Sequence, residues 1–213
     1  MASRPRTLQP AAAAPAARII AAARRHLFTY GYSALTMDDL ARELGMSKKT
    51  LYRHFAGKDD LVAAVLDQFA AEVRELADRL FADRELSFAA KFSRLVEAMM
   101  RRFSQVNPPV IRDLQRFSPA LYARLEELRH KNIPYVFGQV LRQGQAAGMV
   151  RRDVDPDFAI EFWRSAIVAL MQPDAIERTG LPPDRIFRQA IDLFFSGLLT
   201  PAGRKDHEKT LPA

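Results

Sequence analysis

Apolar residues along this chain recur at spacings of three and four, and they do not alternate with polar ones long enough to form a strand. Ile19, Ile20, Ala23, Leu27 and Phe28 mark one face of a helix over residues 16–30, and Gly31 stands where such a helix would end. Met37, Leu40, Ala41 and Leu44 mark a short second helix that stops at Gly45, and Leu51 with Phe55, four apart, a third. A longer stripe of Leu61, Val65, Leu66, Phe69, Val73, Leu76 and Leu80 predicts a helix from Lys58 to Leu80. The spacing then predicts helices over 86–106, 109–117, 118–147, 155–172 and 183–199. They are punctuated by the prolines at 108–109, by Gly148 and by the TGLPP stretch at 179–183. The fold class this implies is all-α.

Polar residues at the helix starts refine the picture. Thr36-Met37-Asp38-Asp39 has the pattern of a capping box, with a hydroxyl for the orphan amides and an acid three residues on. Ser47 is a second N-cap, directly before KKTLYRHF. Two short helices joined at a glycine form a helix-turn-helix arrangement, with Ala41 small enough for close approach. Once Leu51 and Phe55 are turned inward, Lys48, Lys49, Thr50, Tyr52, Arg53 and His54 are left facing outward.

Charge sharpens that reading. Residues 1–60 hold ten Lys/Arg against five Asp/Glu and so carry +5 of the chain's net +7, which points to a polyanionic partner for the N-terminal quarter. Residues 1–15, with three prolines and no apolar period, are expected to be a disordered arm whose Arg4 and Arg6 could reach a minor groove. A composition 48% hydrophobic and 27% charged over 213 residues suits a folded chain that needs no covalent staples. The absence of cysteine excludes disulfides and thiolate metal sites. Arg18 interrupts the alanine-rich start, and Glu161 and Arg164 interrupt FAIEFWRSAIVALM, so neither reads as a signal peptide or a membrane span. A cytoplasmic protein is expected.

Catalytic patterns are missing. Glu127 and His130 have the Glu-x-x-His spacing of helical di-iron sites, but a second copy is absent and the four histidines are scattered. There is no Gly-rich phosphate loop and no Gly-x-Ser-x-Gly elbow. The expectation is no enzyme, no metal and no cofactor.

The stretch from Arg18 to Leu66, above all LTMDDLARELGMSKKTLYRHFAGKDDLVAAVL, resembles the DNA-binding domain of the TetR family of bacterial transcriptional regulators. Thr36, Ala41, Gly45, Ser47, Leu51, Tyr52, Phe55, Lys58 and Leu61 carry the likeness in register. The resemblance implies that Lys48, Lys49 and Thr50 meet base edges in a major groove. It implies phosphate contacts from Tyr52, His54 and Thr36, with Ser47 completing the DNA-facing set. Lys58, a cation opposing the dipole in a first helical turn, is a further phosphate contact.

The family likeness also implies a helical body that dimerises and often holds a ligand. IFRQAIDLFFSGLL has one stripe of Ile186, Ala190, Leu193 and Gly197, and a second of Phe187, Ile191, Phe194, Phe195 and Leu198. This is apolar around more of the circumference than one core requires. The expected interface joins Phe158, Phe162, Ala166 and Ala169 to Phe187, Ile191, Phe194, Phe195 and Leu198 in a two-fold four-helix packing. Met99, Met100, Phe103, Phe117, Phe137 and Trp163 are the candidate lining of a pocket for an apolar or aromatic effector. Packing inside one subunit is the competing account of both sets.

The implied organisation is an arm over 1–15, a helix-turn-helix domain over 16–60, a larger regulatory and dimerisation domain over 61–200 and a flexible tail over 201–213. The implied function is a homodimeric one-component regulator, a repressor, that binds a palindromic double-stranded DNA operator and is released by a small molecule. The alternative is a sequence-tolerant architectural DNA binder without a ligand.

Overall fold

The computed structural model describes residues 15–107 and 109–210, and among these it contains eleven α-helices and no strand. In order they are α1 (Pro15–Tyr30), α2 (Met37–Glu43), α3 (Lys48–His54), α4 (Lys58–Ala82), α5 (Phe88–Phe103) and α6 (Pro109–Phe117). There follow α7 (Pro119–Ala146), α8 (Pro156–Leu170), α9 (Pro173–Thr179), α10 (Pro183–Leu198) and α11 (Pro201–Thr210). Seven of them open on a proline, whose fixed φ suits a first turn and whose missing N–H is not needed there. Most of the chain's prolines therefore start helices instead of breaking them. Among the described residues Pro134 stands inside a helix, α7.

Two hydrophobic cores are stacked along α4. The first gathers Ile19, Leu27, Leu40 and Leu51 from α1–α3 around Leu61, Val62 and Val65 of α4. It also draws in Val110 and Leu114 of α6 and Leu121 of α7, so the N-terminal unit is not sealed off at residue 60. The second packs Phe92, Phe137, Trp163, Phe187 and Phe195 against Ala77 and Phe81 at the other end of α4. At 25 residues, α4 is about 37 Å long and passes through both.

Three expectations change. Pro15 belongs to α1, not to an arm, and residues 1–14 with Arg4 and Arg6 lie outside the described residues. The segment expected to stay helical to residue 172 ends at Leu170, and Pro173 starts the separate α9, which ends at Gly180 with φ +64°. Residues 201–210, expected as a loose tail, form α11. Thr200 holds its start by accepting from the Gly203 amide and donating to the Gly148 carbonyl. Gly203 fits there because a Cβ would stand 2.4 Å from the Met149 carbonyl oxygen.

Candidate nucleic-acid interface and ligand cavity

The helix-turn-helix is built by short-range hydrogen bonds. Thr36 Oγ1 accepts from the Asp39 amide at 3.1 Å and donates to Asp39 Oδ2 at 2.6 Å. The Thr36 hydroxyl, with Arg42 adding to it, holds the Asp39 carboxyl below its ordinary range. Gly45, at φ +62°, turns the chain. Ser47 Oγ then accepts from the Thr50 amide at 3.1 Å and shares a proton with Thr50 Oγ1 at 2.9 Å. Leu51 is the buried residue of α3, and burial of one such side chain contributes about 1.5–3 kcal/mol.

With Leu51 inward, Lys48, Lys49, Tyr52 and Arg53 are exposed, Tyr52 at 49%, and Thr50 is half-buried. Lys48, Lys49, Thr50 and Tyr52 are among the residues expected at DNA, whereas Arg53 has no assigned role. Lys48 Nζ rests on Asp38 Oδ2 at 2.6 Å, an exposed pair worth under about 1 kcal/mol that a phosphate or base edge can replace. Thr36 is exposed, but its hydroxyl proton is committed to Asp39 and must leave it to serve a phosphate. The Ser47–Thr50 pair spends one proton between them, so one hydroxyl proton is left over.

Two candidates sit deeper than expected. His54 is half-buried with Nε2 turned inward and unpartnered, so a phosphate contact from it would have to use Nδ1. Lys58 Nζ lies 3.9 Å from the centre of the Tyr32 ring. Burial lowers the pKa of this ammonium, against the opposing pull of Asp59 and Asp113. Tyr32 donates to Asp59, which also accepts from Ser118 at 3.2 Å. Burial, then the hydrogen bond to Asp59, push the Tyr32 phenol up to about 12. Lys58 is thus part of the joint between the α1–α2 loop and α4.

That joint has further members that the sequence did not reveal. The Asn107 amide donates to the Phe28 carbonyl at 2.8 Å and its side chain donates to the Thr29 carbonyl at 2.9 Å, closing the end of α1. Asp113 Oδ2, on α6, accepts from Ser33 N at 2.9 Å and Ser33 Oγ at 2.7 Å. Gly31 admits this carboxylate, since it has φ +87° and a Cβ there would stand 2.6 Å from Asp113 Oδ2. On α1, Arg24 pairs with both carboxylate oxygens of Glu72, at 2.9 and 2.7 Å, and its guanidinium lies over the Phe28 and Phe69 rings.

Phe28 and Phe69 also line a cavity of about 230 Å³ enclosed by α4–α8 and α10. Of the residues offered as pocket lining, Met99, Phe103, Phe137 and Trp163 stand in its wall. Met100 packs against the second core outside the wall. Phe117 is 51% exposed beneath Arg116, because α6 turns Val110, Ile111 and Leu114 inward and ends there.

The interface residues are also redistributed. Phe187, Ile191, Phe195 and Leu198 are buried within the subunit, since they follow the core-facing side of α10. Of the other stripe Ile186 is buried too, whereas Leu193 is 79% exposed, Gly197 exposed and Ala190 half-buried, and Phe194 of the expected interface stripe is half-buried beside them. Next to these on α8 are Phe158 and Phe162, 65% and 55% exposed, with Ala169 exposed and Ala166 half-buried. The Phe162 and Phe194 rings stack at 5.7 Å and join the two helices into one apolar face.

Among the described residues, no cluster of His, Cys, Asp or Glu could hold a metal ion, and no helix is long and apolar enough to cross a membrane.

The model of bacterial regulatory proteins of the tetR family matches residues 19–65, from the first buried residue of α1 through the first turns of α4. The chain is similar to the uncharacterised HTH-type transcriptional regulator YvaF of Bacillus subtilis, 24% identical over 85% of this chain and 94% of that one. It is 30% identical to the HTH-type transcriptional repressor KstR2 of Mycobacterium tuberculosis over 63% of this chain and 68% of that one. Its fold is similar to that of the transcriptional regulator FadR of Bacillus subtilis, solved with stearoyl-CoA, at a TM-score of 0.62 and 15% identity over 85% and 98% of the two chains. The matched helix-turn-helix, the all-helical body and the identity to KstR2 agree: the chain belongs to the TetR family of bacterial transcriptional regulators, which bind DNA and are not enzymes.

Proposed function

We propose that the protein is a homodimeric repressor that binds a palindromic operator and leaves it when a small molecule enters the cavity. The carrying observation is that α6 has two jobs. Val110, Ile111 and Leu114 form part of the cavity wall, while Asp113 on the same helix holds Ser33 beside the DNA-binding unit. A ligand that moves α6 or α4 moves the recognition helix with it. A dimer is supported by the exposed apolar face of Phe158, Phe162, Leu193 and Gly197 on neighbouring helices. Two-fold pairing there presents two copies of α3 to half-sites about 34 Å apart. Repression accords with the name of KstR2, and ligand binding in the body with the stearoyl-CoA bound to FadR.

Thr36, Ser47, Lys48, Lys49, Thr50 and Tyr52 are the proposed DNA contacts, with His54 and Lys58 secondary. Residues 16–60 serve as the DNA-binding domain and 61–200 as the regulatory and dimerisation domain. The test is selection of bound duplexes from a random DNA pool, with light scattering on the free protein. A recovered palindrome and a dimer mass are expected. A featureless pool would replace this reading with the architectural one, and a monomer mass would remove the dimer.

A further inference from the structure

We propose that the effector is a single-tailed amphiphile with an uncharged, hydrogen-bonding head. Its tail fills the cavity and its head sits where the α5–α6 loop meets the start of α10. The inference rests on the effector reading above and names the chemistry of the ligand.

The tail follows from the wall. Only three polar side chains line the cavity, Asn107, Arg129 and Asn132, and each is already engaged within the protein. Arg129 pairs with Glu126 at 2.8 Å. Asn132 donates to the Ala70 carbonyl at 2.8 Å and accepts from Arg74 at 2.6 Å. Asn107 donates to the Thr29 carbonyl. Arg129, the one charged side chain of the wall, is paired with Glu126 and the rest of the lining is overwhelmingly apolar, so the buried part of the ligand is apolar. The wall runs along α7 from Leu125 to Val140, about 22 Å at 1.5 Å per residue. Lining residues spread over that length give the cavity an elongated outline. A chain of methylenes fits it better than fused rings do.

The head follows from the rim. A shallower hollow shares Phe28 and Asn107 with the cavity and adds Thr29, Ser104, Gln105 and Asp184. Hydroxyl and amide partners suit a head that both donates and accepts. The Asp184 carboxylate repels an anion. A head group placed here competes for Asn107, whose bonds to the Phe28 and Thr29 carbonyls hold the end of α1. Occupancy thereby reaches the DNA-binding unit through the rim as well as through the wall.

Trp163, the chain's one tryptophan, stands in the wall and reports occupancy by its emission. Full-length protein would be titrated below micellar concentrations with 1-monooctanoylglycerol, sodium octanoate and 1-adamantanol, following Trp163 emission and release of the selected operator duplex. The expected result is a saturable emission shift and at least a ten-fold loss of operator affinity with monooctanoylglycerol, with octanoate at least ten-fold weaker. Asp184→Asn should narrow that gap by improving octanoate. Octanoate binding as tightly as the neutral ester overturns the head assignment. A response to 1-adamantanol alone overturns the amphiphile while leaving the effector reading standing. Silence from all three, with operator binding intact, removes both.

Discussion

The recognition unit and the cavity-bearing body are built to opposite specifications. Helices α2 and α3 have seven residues each and are fixed by side-chain caps and a few fully buried leucines. The helices around the cavity include α4, α5, α7, α8 and α10, of 15 to 28 residues, and they are held by burial with a void left among them. A surface that reads DNA needs its donors in one arrangement. A chamber that answers to a ligand needs space, and space costs stability. The joint between them combines polar contacts, such as Asp113 with Ser33, with the apolar packing of Val110, Leu114 and Leu121 in the first core.

The comparison can be broken most severely at Leu51. Leu51→Ala should cost about 2–5 kcal/mol in urea unfolding and abolish operator binding, because α3 has no other buried anchor. Next comes the joint. Gly31→Ala should cost about 1–3 kcal/mol from backbone strain and the clash with Asp113. Adding Asp113→Ala should recover only part of it, and full recovery would mean that φ +87° carries no strain.

Tyr52→Phe tests the DNA face with no change in packing. A loss of about 1 kcal/mol, roughly five-fold, in affinity for every duplex is expected, with unchanged thermal stability. A loss confined to some sequences would move Tyr52 from phosphate to base. Glu72→Gln tests the half-buried pair under Arg24. Burial alone raises the Glu72 carboxyl, but hydrogen bonds from Arg24 and Gln68 outweigh it and leave it below the ordinary 4.5. The stability from this lowered pKa is complete above that value and is lost as pH falls through the lower, folded one. Wild type should therefore lose more stability than Glu72→Gln as pH falls below about 4.5. Parallel urea profiles would show that the pair contributes nothing. The smallest effect is expected at Val73→Ile, which adds a methylene to the cavity wall. Stability should stay within about 0.5 kcal/mol, whereas the same change in a filled core typically costs 1–3 kcal/mol.

What was legible in the sequence was local. Thr36 and Ser47 announce caps because their partners lie three residues away, and Leu51 and Phe55 announce a face because helical period does. Asp113 and Ser33 are 80 residues apart, and nothing near either predicts the other. Lys58 was identified as out of place in a first turn, but its partner Tyr32 was not. On α10 the excess of apolar surface was visible, yet periodicity alone could not say which stripe α5 and α8 would cover. Four of the nine residues that periodicity offers for the interface, Phe187, Ile191, Phe195 and Leu198, therefore lie inside the subunit. Pocket residues divide in the same way, since Phe117 and Phe103 look alike in sequence and only packing separates them.

The chamber has a volumetric consequence as well. A native state that encloses a cavity of about 230 Å³ becomes smaller when it unfolds without a ligand, and shrinkage of this kind is commonly ~20–100 mL/mol. Hydrostatic pressure therefore acts against the empty protein and spares the filled one. Compression would separate the two forms even for a ligand that leaves every hydrogen bond in place.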